Sequence, residues 1–419
     1  MKSRGSGEKG VLMIAFHFPP VAMGSGHLRP LGFVRYLPEL GWEPIVLSVN
    51  ASALPRADAK NIKLIPDACR VHRALALDVQ RHLSIRGRYP GFLAQPDRWS
   101  TWWIAAVLQG LWLIRRHRVK AIWSTYPIMT AHCIAHTLSR MTGLPWIADF
   151  RDPVASSVEA GNPFSVASQR RCEQRVLARA NRVVFTTTGA MHRYAEQYPQ
   201  VFREGRMAVV ANGYDETAFA GFPATTDREP RRPLRLVHGG ILYPDGRNPV
   251  PFFTALANLR TAGTLTENDV SIVLRASGSE ATYAEEIRRR GLENMITLAP
   301  PVSNHEALLE QADADALLLF QGSKFDHQIP AKVYEYLRIG RPIFALVGNG
   351  GDTETLLRDT GGAKLVALDD VPEIERGLVE FIGALRDRRA PVANEAVVHG
   401  YSRRQGTAVL AALFDKIVA

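Results

Sequence analysis

Cysteine is scarce: Cys69, Cys133 and Cys172 are the only three in 419 residues. None stands in a CxxC or comparable metal spacing. A disulfide framework is therefore not expected, and a cytosolic chain is the simplest reading. Long apolar runs are also missing. The longest helical one, Trp102 to Ile114, is about thirteen residues and includes Gln109 and Gly110. That is short of the roughly 20 that a transmembrane helix needs. The start, Met1-Lys2-Ser3-Arg4, runs through Gly and Ser into a strand-like segment without a secretory pattern. No GxxxxGK[ST] loop is present, and no glycine cluster has the dinucleotide-fingerprint spacing. There is no internal repeat and no low-complexity tract.

What is present is globular composition, 46% apolar and 22% charged. At 419 residues two domains are the default. The net charge of +10 is uneven. Residues 1–220 carry 28 basic and 15 acidic side chains, a net +13, whereas residues 221–419 carry 23 and 26, a net −3. Such asymmetry suggests that the first half faces something anionic.

Read along the chain, Val11–Phe16 is a short buried-strand run, followed by His17-Phe18-Pro19-Pro20 and Gly24-Ser25-Gly26. A helix begins near Arg29-Pro30 and runs to Leu40, and Ile45–Val49 is a second strand. This strand, glycine loop, helix and strand form the unit of a parallel α/β sheet. Helix Trp102–Ile114, strand Ala121–Thr125, helix Thr130–Met141, strand Pro145–Phe150, a basic helix over Ser168–Ala180, and strands at Val183 and Met207 continue the pattern. Residues 221–233 read as a linker. Strands then begin near Leu234, Ser271, Met295, Ala316 and Pro342, with helices near Pro249, Thr282, Asn304, Ala331 and Thr353 between and after them. The last stretch, Ser402–Val418, is amphipathic, with Val409, Leu410, Leu413 and Ile417 on one face. The expected domains are 10–220 with 402–419, and 234–400. In such sheets ligands bind at the carboxyl ends of strands, so the loops there are where chemistry is sought.

Each motif has a plain structural alternative. Gly24-Ser25-Gly26 suits close approach of a diphosphate before a helix N-terminus, or a tight turn. His238-Gly239-Gly240, followed by Arg247, again links a strand to a helix; the Arg247 guanidinium suits phosphate oxygens, or is solvated. Lys332 and Glu335 lie at i, i+3 behind Pro330, placing a carboxylate for ribose hydroxyls or forming a surface ion pair. Asp313-Ala314-Asp315 resembles a metal-holding DxD pair but falls in a helix-to-strand connection. His132 and His136, four apart, suit one helix face and lack a third zinc ligand. The Pro96–Trp103 aromatic cluster and the Arg115-Arg116-His117-Arg118 run frame either a core helix or a helix at the bilayer interface.

Taken in order, Phe16-His17-Phe18-Pro19-Pro20, Gly24-Ser25-Gly26, Arg29-Pro30, Ile147–Pro153, Ala211-Asn212-Gly213-Tyr214-Asp215, His238-Gly239-Gly240, Arg247-Asn248-Pro249 and Ile329-Pro330-Ala331-Lys332 with Glu335-Tyr336 are similar to the family 4 glycosyltransferases. More narrowly they resemble the bacterial branch found among surface-polysaccharide enzymes. The resemblance implies an α/β protein of GT-B architecture: two Rossmann-like domains facing across a cleft, with the C-terminal helix returning to the first. It implies an acceptor on the N-terminal side and a nucleotide-sugar donor in the C-terminal domain. Gly24, Gly26, Gly239, Gly240, Arg247 and Lys332 would then serve the donor, with Glu335 on the ribose. His327 stands where the family has the first glutamate of its E-x7-E pattern, and Arg151 and Asp152 stand near its N-terminal histidine. These three are the catalytic candidates.

The reading is thus a glycosyltransferase, expected to retain configuration and to need no metal or other cofactor. Its partners are a nucleotide-diphosphate sugar and a lipid-linked acceptor of surface polysaccharide or glycolipid synthesis. The place expected is cytoplasmic, peripheral on the inner membrane face, with no nucleic acid. The alternatives are a nucleotide-sugar epimerase of the same fold and a non-catalytic scaffold.

Overall fold

The computed structural model describes residues 9–22, 24–86, 88–154, 163–222 and 229–419, without the side chains of 163–165. The first four residues and most of the expected linker, 223–228, lie outside the described residues. Two compact units emerge: residues up to Ala211 with Arg403–Ala419, and Asn212–Ser402.

In the first unit the described residues form seven strands: β1 (Lys9–Ile14), β2 (Trp42–Val49), β3 (Arg70–Ala74), β4 (Val119–Thr125), β5 (Trp146–Phe150), β6 (Arg182–Phe185) and β7 (Met207–Val209). Their order is β3-β2-β1-β4-β5-β6-β7 and every pairing is parallel. The sheet is covered on both faces, which is why its strands read as unbroken apolar runs rather than alternating ones. Leu12, Ile14, Ile45, Leu47 and Ile122 face one layer. Val11, Met13, Val46, Trp123 and Ile147 face the other. Helices Trp102–His117, Met129–Thr142 and Pro163–Arg179 supply residues of the first layer, including Trp102, Leu113, Ile134, Leu138, Val176 and Leu177. A Cβ on Gly110 would lie 2.6 Å from Leu138 Cδ1, so the break in the Trp102 run permits close helix contact.

The final helix, Arg403–Val418, belongs to this unit. It packs on the second layer through Leu410, Ala411, Leu413 and Phe414, with Phe414 5.0 Å from the Trp42 ring. Val409, expected on that face, is exposed. The apolar stripe follows Thr407, Leu410, Ala411 and Phe414, the i, i+3, i+4, i+7 rows of a 3.6-residue period, and turns Val409 away.

The second unit has β8 (Leu234–Gly239), β9 (Val270–Arg275), β10 (Ile296–Ala299), β11 (Ala316–Gln321), β12 (Ile343–Val347) and β13 (Ala363–Ala367). Their order is β10-β9-β8-β11-β12-β13, again parallel throughout. The sequence pattern had not indicated β3, β13 or the helix Val371–Arg386. β3 and β13 are edge strands and carry polar residues such as Arg70, His72, Arg73 and Lys364. The helix docks Ile374, Leu378, Phe381 and Ile382 onto the core.

The expected boundary at residue 220 moves. Tyr214 and Phe219 are buried among residues of the second unit, and Glu216 pairs with Arg338 at 3.1 Å. Apolar burial therefore takes 212–222 into the second unit.

In both sheets the first strand, β1 or β8, lies centrally, with chain direction diverging on either side. The loops after these strands occupy the switch points where α/β sheets bind ligands.

One ion pair holds the first switch point. Arg29 donates from Nε to Asp149 Oδ2 at 2.8 Å and from Nη2 to Oδ1 at 3.0 Å; both side chains are buried. Replacing Arg29 with leucine strands the Asp149 charge. Denaturant unfolding should show a loss of about 3–5 kcal/mol, and Arg29→Leu/Asp149→Leu should recover much of it.

Candidate functional site

In the first unit the loop after β1 reaches helix Leu28–Tyr36 through Gly24, Ser25 and Gly26. Gly24 has φ +60, a backbone state that favours glycine. Gly26 is needed for space: a Cβ there would sit 2.6 Å from Arg151 Nη1 and 3.4 Å from His17 Nδ1. The glycine loop and Arg151 are thus neighbours. Arg151 Nε donates to Asp152 Oδ2 at 2.9 Å, and both side chains keep access to solvent. The segment is held from behind. Thr186 Oγ1 donates to the Arg151 carbonyl at 2.9 Å, and the Val154 amide donates to Tyr194 Oη at 3.1 Å. Tyr194 donates in turn to Glu173.

His17 joins this group. Burial first, then the Arg151 charge and His27, lower its pKa to about 4, against a smaller opposing effect of Asp152. His27 is also lowered, by burial and then Arg403, and its Nδ1 is buried without a hydrogen-bond partner. At neutral pH both imidazoles are neutral. The loop therefore combines neutral histidines, an arginine and a helix N-terminus, a set that favours an anion.

In the second unit β8 ends in His238-Gly239 and the chain turns at Gly240, φ +101. A Cβ on Gly240 would lie 3.1 Å from Lys332 Nζ. Lys332 stands in the first turn of helix Ala331–Ile339, N-capped by Pro330 as the sequence indicated. Its Nζ lies 3.1 Å from His238 Nε2, which is also 3.0 Å from the Gly240 carbonyl oxygen. The other ring nitrogen, Nδ1, lies 2.9 Å from the Leu318 carbonyl oxygen. Burial, then the charge of Lys332, keeps His238 well below the usual histidine range, hence neutral. The Gly239 amide donates to Tyr336 Oη at 2.9 Å.

Arg247 is not a loosely solvated cap residue. Its Nε donates to Gln321 Oε1 at 2.8 Å, and its guanidinium lies 5.0 Å from the Phe325 ring and 5.4 Å from that of Tyr243. Gln321, buried at the end of β11, is fixed by donating to the carbonyls of Phe325 and Gln328. Arg247 and Lys332 repel. Burial first and then Arg247 lower the Lys332 pKa to about 7, and Glu335 offsets this in part. Two half-buried cations beside a glycine turn are arranged for a shared anion. His327 lies on the exposed loop before Pro330.

The structure thus groups Gly26 with Arg151 and Asp152, and Gly240 with Arg247, Lys332 and Glu335. His17, His238, Gln321 and Tyr336 were not singled out as site residues. His17 and His238 stand at ends of apolar runs, a position that reads as core; Gln321 carries no motif signal. Among the remaining motifs, Asp313 pairs with Arg231 at 2.7 Å, and Asp315 accepts the Arg235 amide at 2.8 Å. His132 Nδ1 lies 2.7 Å from Ser124 Oγ inside the core. Among the described residues, no group of three or more His, Cys, Asp or Glu is placed to hold a metal.

The Lys332 shift has a checkable sign. Between pH 7 and 10.5 the unfolded chain binds the proton that the folded lysine has lost, so this group's contribution to stability rises with pH in that window. Urea unfolding at pH 7, 8 and 9 should show a steeper rise for the wild type than for Lys332→Met.

Residues 28–213 match the family described as glycosyl transferase 4-like domain. No curated protein sequence matches the chain. Among solved structures it is similar to sucrose-phosphate synthase from Thermosynechococcus elongatus, with TM-score 0.65, 12% identity and coverage of 98% of this chain and 99% of that one. It is also similar to the lipopolysaccharide outer core galactosyltransferase WaaB, with TM-score 0.62, 12% identity and coverage of 97% and 99%. Anabaena HepE in complex with UDP and glucose gives TM-score 0.59, 14% identity and coverage of 98% and 97%. The chain therefore has the two-domain GT-B fold of these glycosyltransferases, and its residues 28–213 match a glycosyl transferase 4-like domain.

Proposed function

We propose that the protein moves a sugar from a nucleotide-diphosphate sugar to a lipid-linked acceptor in surface polysaccharide or glycolipid synthesis. The observation that carries the donor half is the juxtaposition of Arg247 and Lys332 beside Gly240, with Glu335 three residues after Lys332 on the same helix. The two cations suit the diphosphate, and Glu335 suits ribose hydroxyls. That HepE was solved with UDP and glucose supports the donor class. Gly24, Gly26, Gly239 and Gly240 give backbone access to phosphate oxygens.

The reaction proposed is same-face substitution with retention. The bond from the sugar C1 to the leaving phosphate oxygen breaks, and the acceptor oxygen bonds to C1. The acceptor proton passes to the leaving phosphate. Such a path requires no carboxylate pair of the glycosidase kind. Charge developing on the leaving group would be met by Arg247, Lys332 and loop amides, with no metal or other cofactor. Arg151, Asp152 and His327 are retained as the residues proposed to serve the sugar. The lipid-linked acceptor accords with the basic excess of the first half of the sequence, and implies work at the cytoplasmic membrane face.

Titration calorimetry with UDP, GDP, dTDP and ADP tests the donor site. One of them should bind, and Arg247→Ala or Lys332→Gln should each weaken it by roughly 10–100-fold, the scale of a charge-assisted hydrogen bond. Glu335→Ala should lower turnover while leaving the melting temperature near wild type. Lys332 loses its proton above about pH 7 in the empty protein. Affinity should therefore fall with rising pH there, by up to roughly tenfold per unit, and Lys332→Gln should flatten that dependence. No binding of any of the four, or unaltered binding in both cation variants, would remove this assignment.

A further inference from the structure

Helices Trp102–His117, Met129–Thr142 and Pro163–Arg179 form a layer over one face of the first sheet. Their inner sides are core. Their outer sides share an unusual property. The three helices carry seven arginines and a single carboxylate, Glu173. That carboxylate is buried and accepts hydrogen bonds from Tyr194 and Tyr198. Among the described side chains of these helices no carboxylate faces solvent. Arg115, Arg116, Arg140, Arg171, Arg175 and Arg179 are all exposed. Three of them converge on one point: after burial, Arg179, Arg175 and Arg140 each lower the pKa of His136 on the middle helix.

The same layer exposes large apolar groups. Ile104, Leu108 and Trp112, at i, i+4 and i+8, are 63%, 66% and 53% exposed and form one stripe. Trp103 is partly exposed beside them. These side chains are held rather than loose. Trp103 Nε1 donates to Thr137 Oγ1 at 3.0 Å, and the Trp112 ring meets those of His72 and His117. Ordinary surface helices expose charge there, and the cost of leaving such a stripe in water calls for a cover.

We propose that the outer face of these three helices is the seat for an anionic lipid bilayer surface. An apolar stripe with indole rings enters the acyl boundary while arginines beside it meet headgroup phosphates, the division of labour of interfacial helices. Charge complementarity selects the occupant. A face without exposed carboxylates is matched by a surface of uniform negative sign, whereas a protein partner usually presents charges of both signs. No helix among the described residues is long and apolar enough to cross a membrane, so the contact is one that lies on the surface. The inference rests on the lipid-linked acceptor reading, to which it adds the place of contact.

Vesicle flotation tests it directly. The full chain should float with vesicles of roughly one-third phosphatidylglycerol in phosphatidylcholine and far less with phosphatidylcholine alone, and about 1 M NaCl should reduce the bound fraction. Ile104→Ser/Leu108→Ser/Trp112→Ser should abolish flotation, and Arg115→Gln/Arg116→Gln/Arg140→Gln should cut it by roughly tenfold or more. All of these side chains are exposed, so melting temperature and nucleotide affinity should stay at wild-type values in both variants. Flotation unaltered in the apolar variant, or absent in the wild type, overturns the proposal. A concentration-dependent dimer that the apolar variant dissociates also overturns it, by assigning the face to a second copy. Nucleotide binding is read separately, so loss of the donor reading and loss of the membrane face give different results.

Discussion

The buried pair of Arg29 and Asp149 is the constraint on which the first unit's functional loops depend. Asp149 is near the end of β5, two residues before Arg151. Arg29 is in the first turn of the helix that follows the glycine loop, and its Nη1 also donates to the Ala211 carbonyl at 3.1 Å. Thr125 Oγ1, from the end of β4, donates to Asp149 Oδ2 at 3.2 Å. One guanidinium therefore ties the segments after β1 and β7 to the end of β5, with the end of β4 attached. A planar fork is suited to this because its hydrogen bonds fix orientation as well as distance. With these strand ends fixed, Gly26 can lie against Arg151 without a gap.

The second unit solves a different problem. Its donor candidates are two cations brought together against their mutual repulsion, among neutral groups and one carboxylate, Glu335. Lys332 lies against His238, and Gln321 accepts from Arg247. Neutral partners hold the side chains without neutralising them, and Glu335 offsets the shift of Lys332 only in part. Ion pairs of this unit such as Arg275 with Glu310 and Arg231 with Asp313 involve other residues.

The charge asymmetry noted in the sequence acquires a location. Much of the basic excess of the first half stands on the outer side of three helices whose single carboxylate is buried. The second unit, Asn212–Ser402, is acidic overall, with 20 basic and 27 acidic side chains, yet places Arg247 and Lys332 together beside Gly240. Net charge and the local pairing of cations are thus separate properties of the chain.

Much of the fold was legible in the sequence because both sheets are covered on two sides. Central strands such as β1, β8 and β11 then appear as short apolar runs, and helices as periodic ones between them. Edge strands β3 and β13 escaped, since a strand partly open to water carries arginine, histidine and lysine like a loop. The glycine loops and Arg247 could be found from motif order. Gln321 and Tyr336 could not, because their roles arise from partners 74 and 97 residues away in the chain. The boundary between the units was misplaced for the same reason: only packing shows Tyr214 and Phe219 buried with the second core.

The sequence by itself determined the alternation of elements, the candidate phosphate loops and the sign of the charge. These depend on local composition and period, which a linear string contains. Tertiary structure decided which of those residues meet. Lys332 and Glu335 share a helix spacing that suggested an ion pair, yet Lys332 turns to His238, because strand β8 brings that imidazole within reach. His132 and His136 share a spacing suited to zinc, yet the core takes His132 onto Ser124. Spacing fixes which side chains lie on one face; the neighbour that a fold packs against that face fixes what they bind.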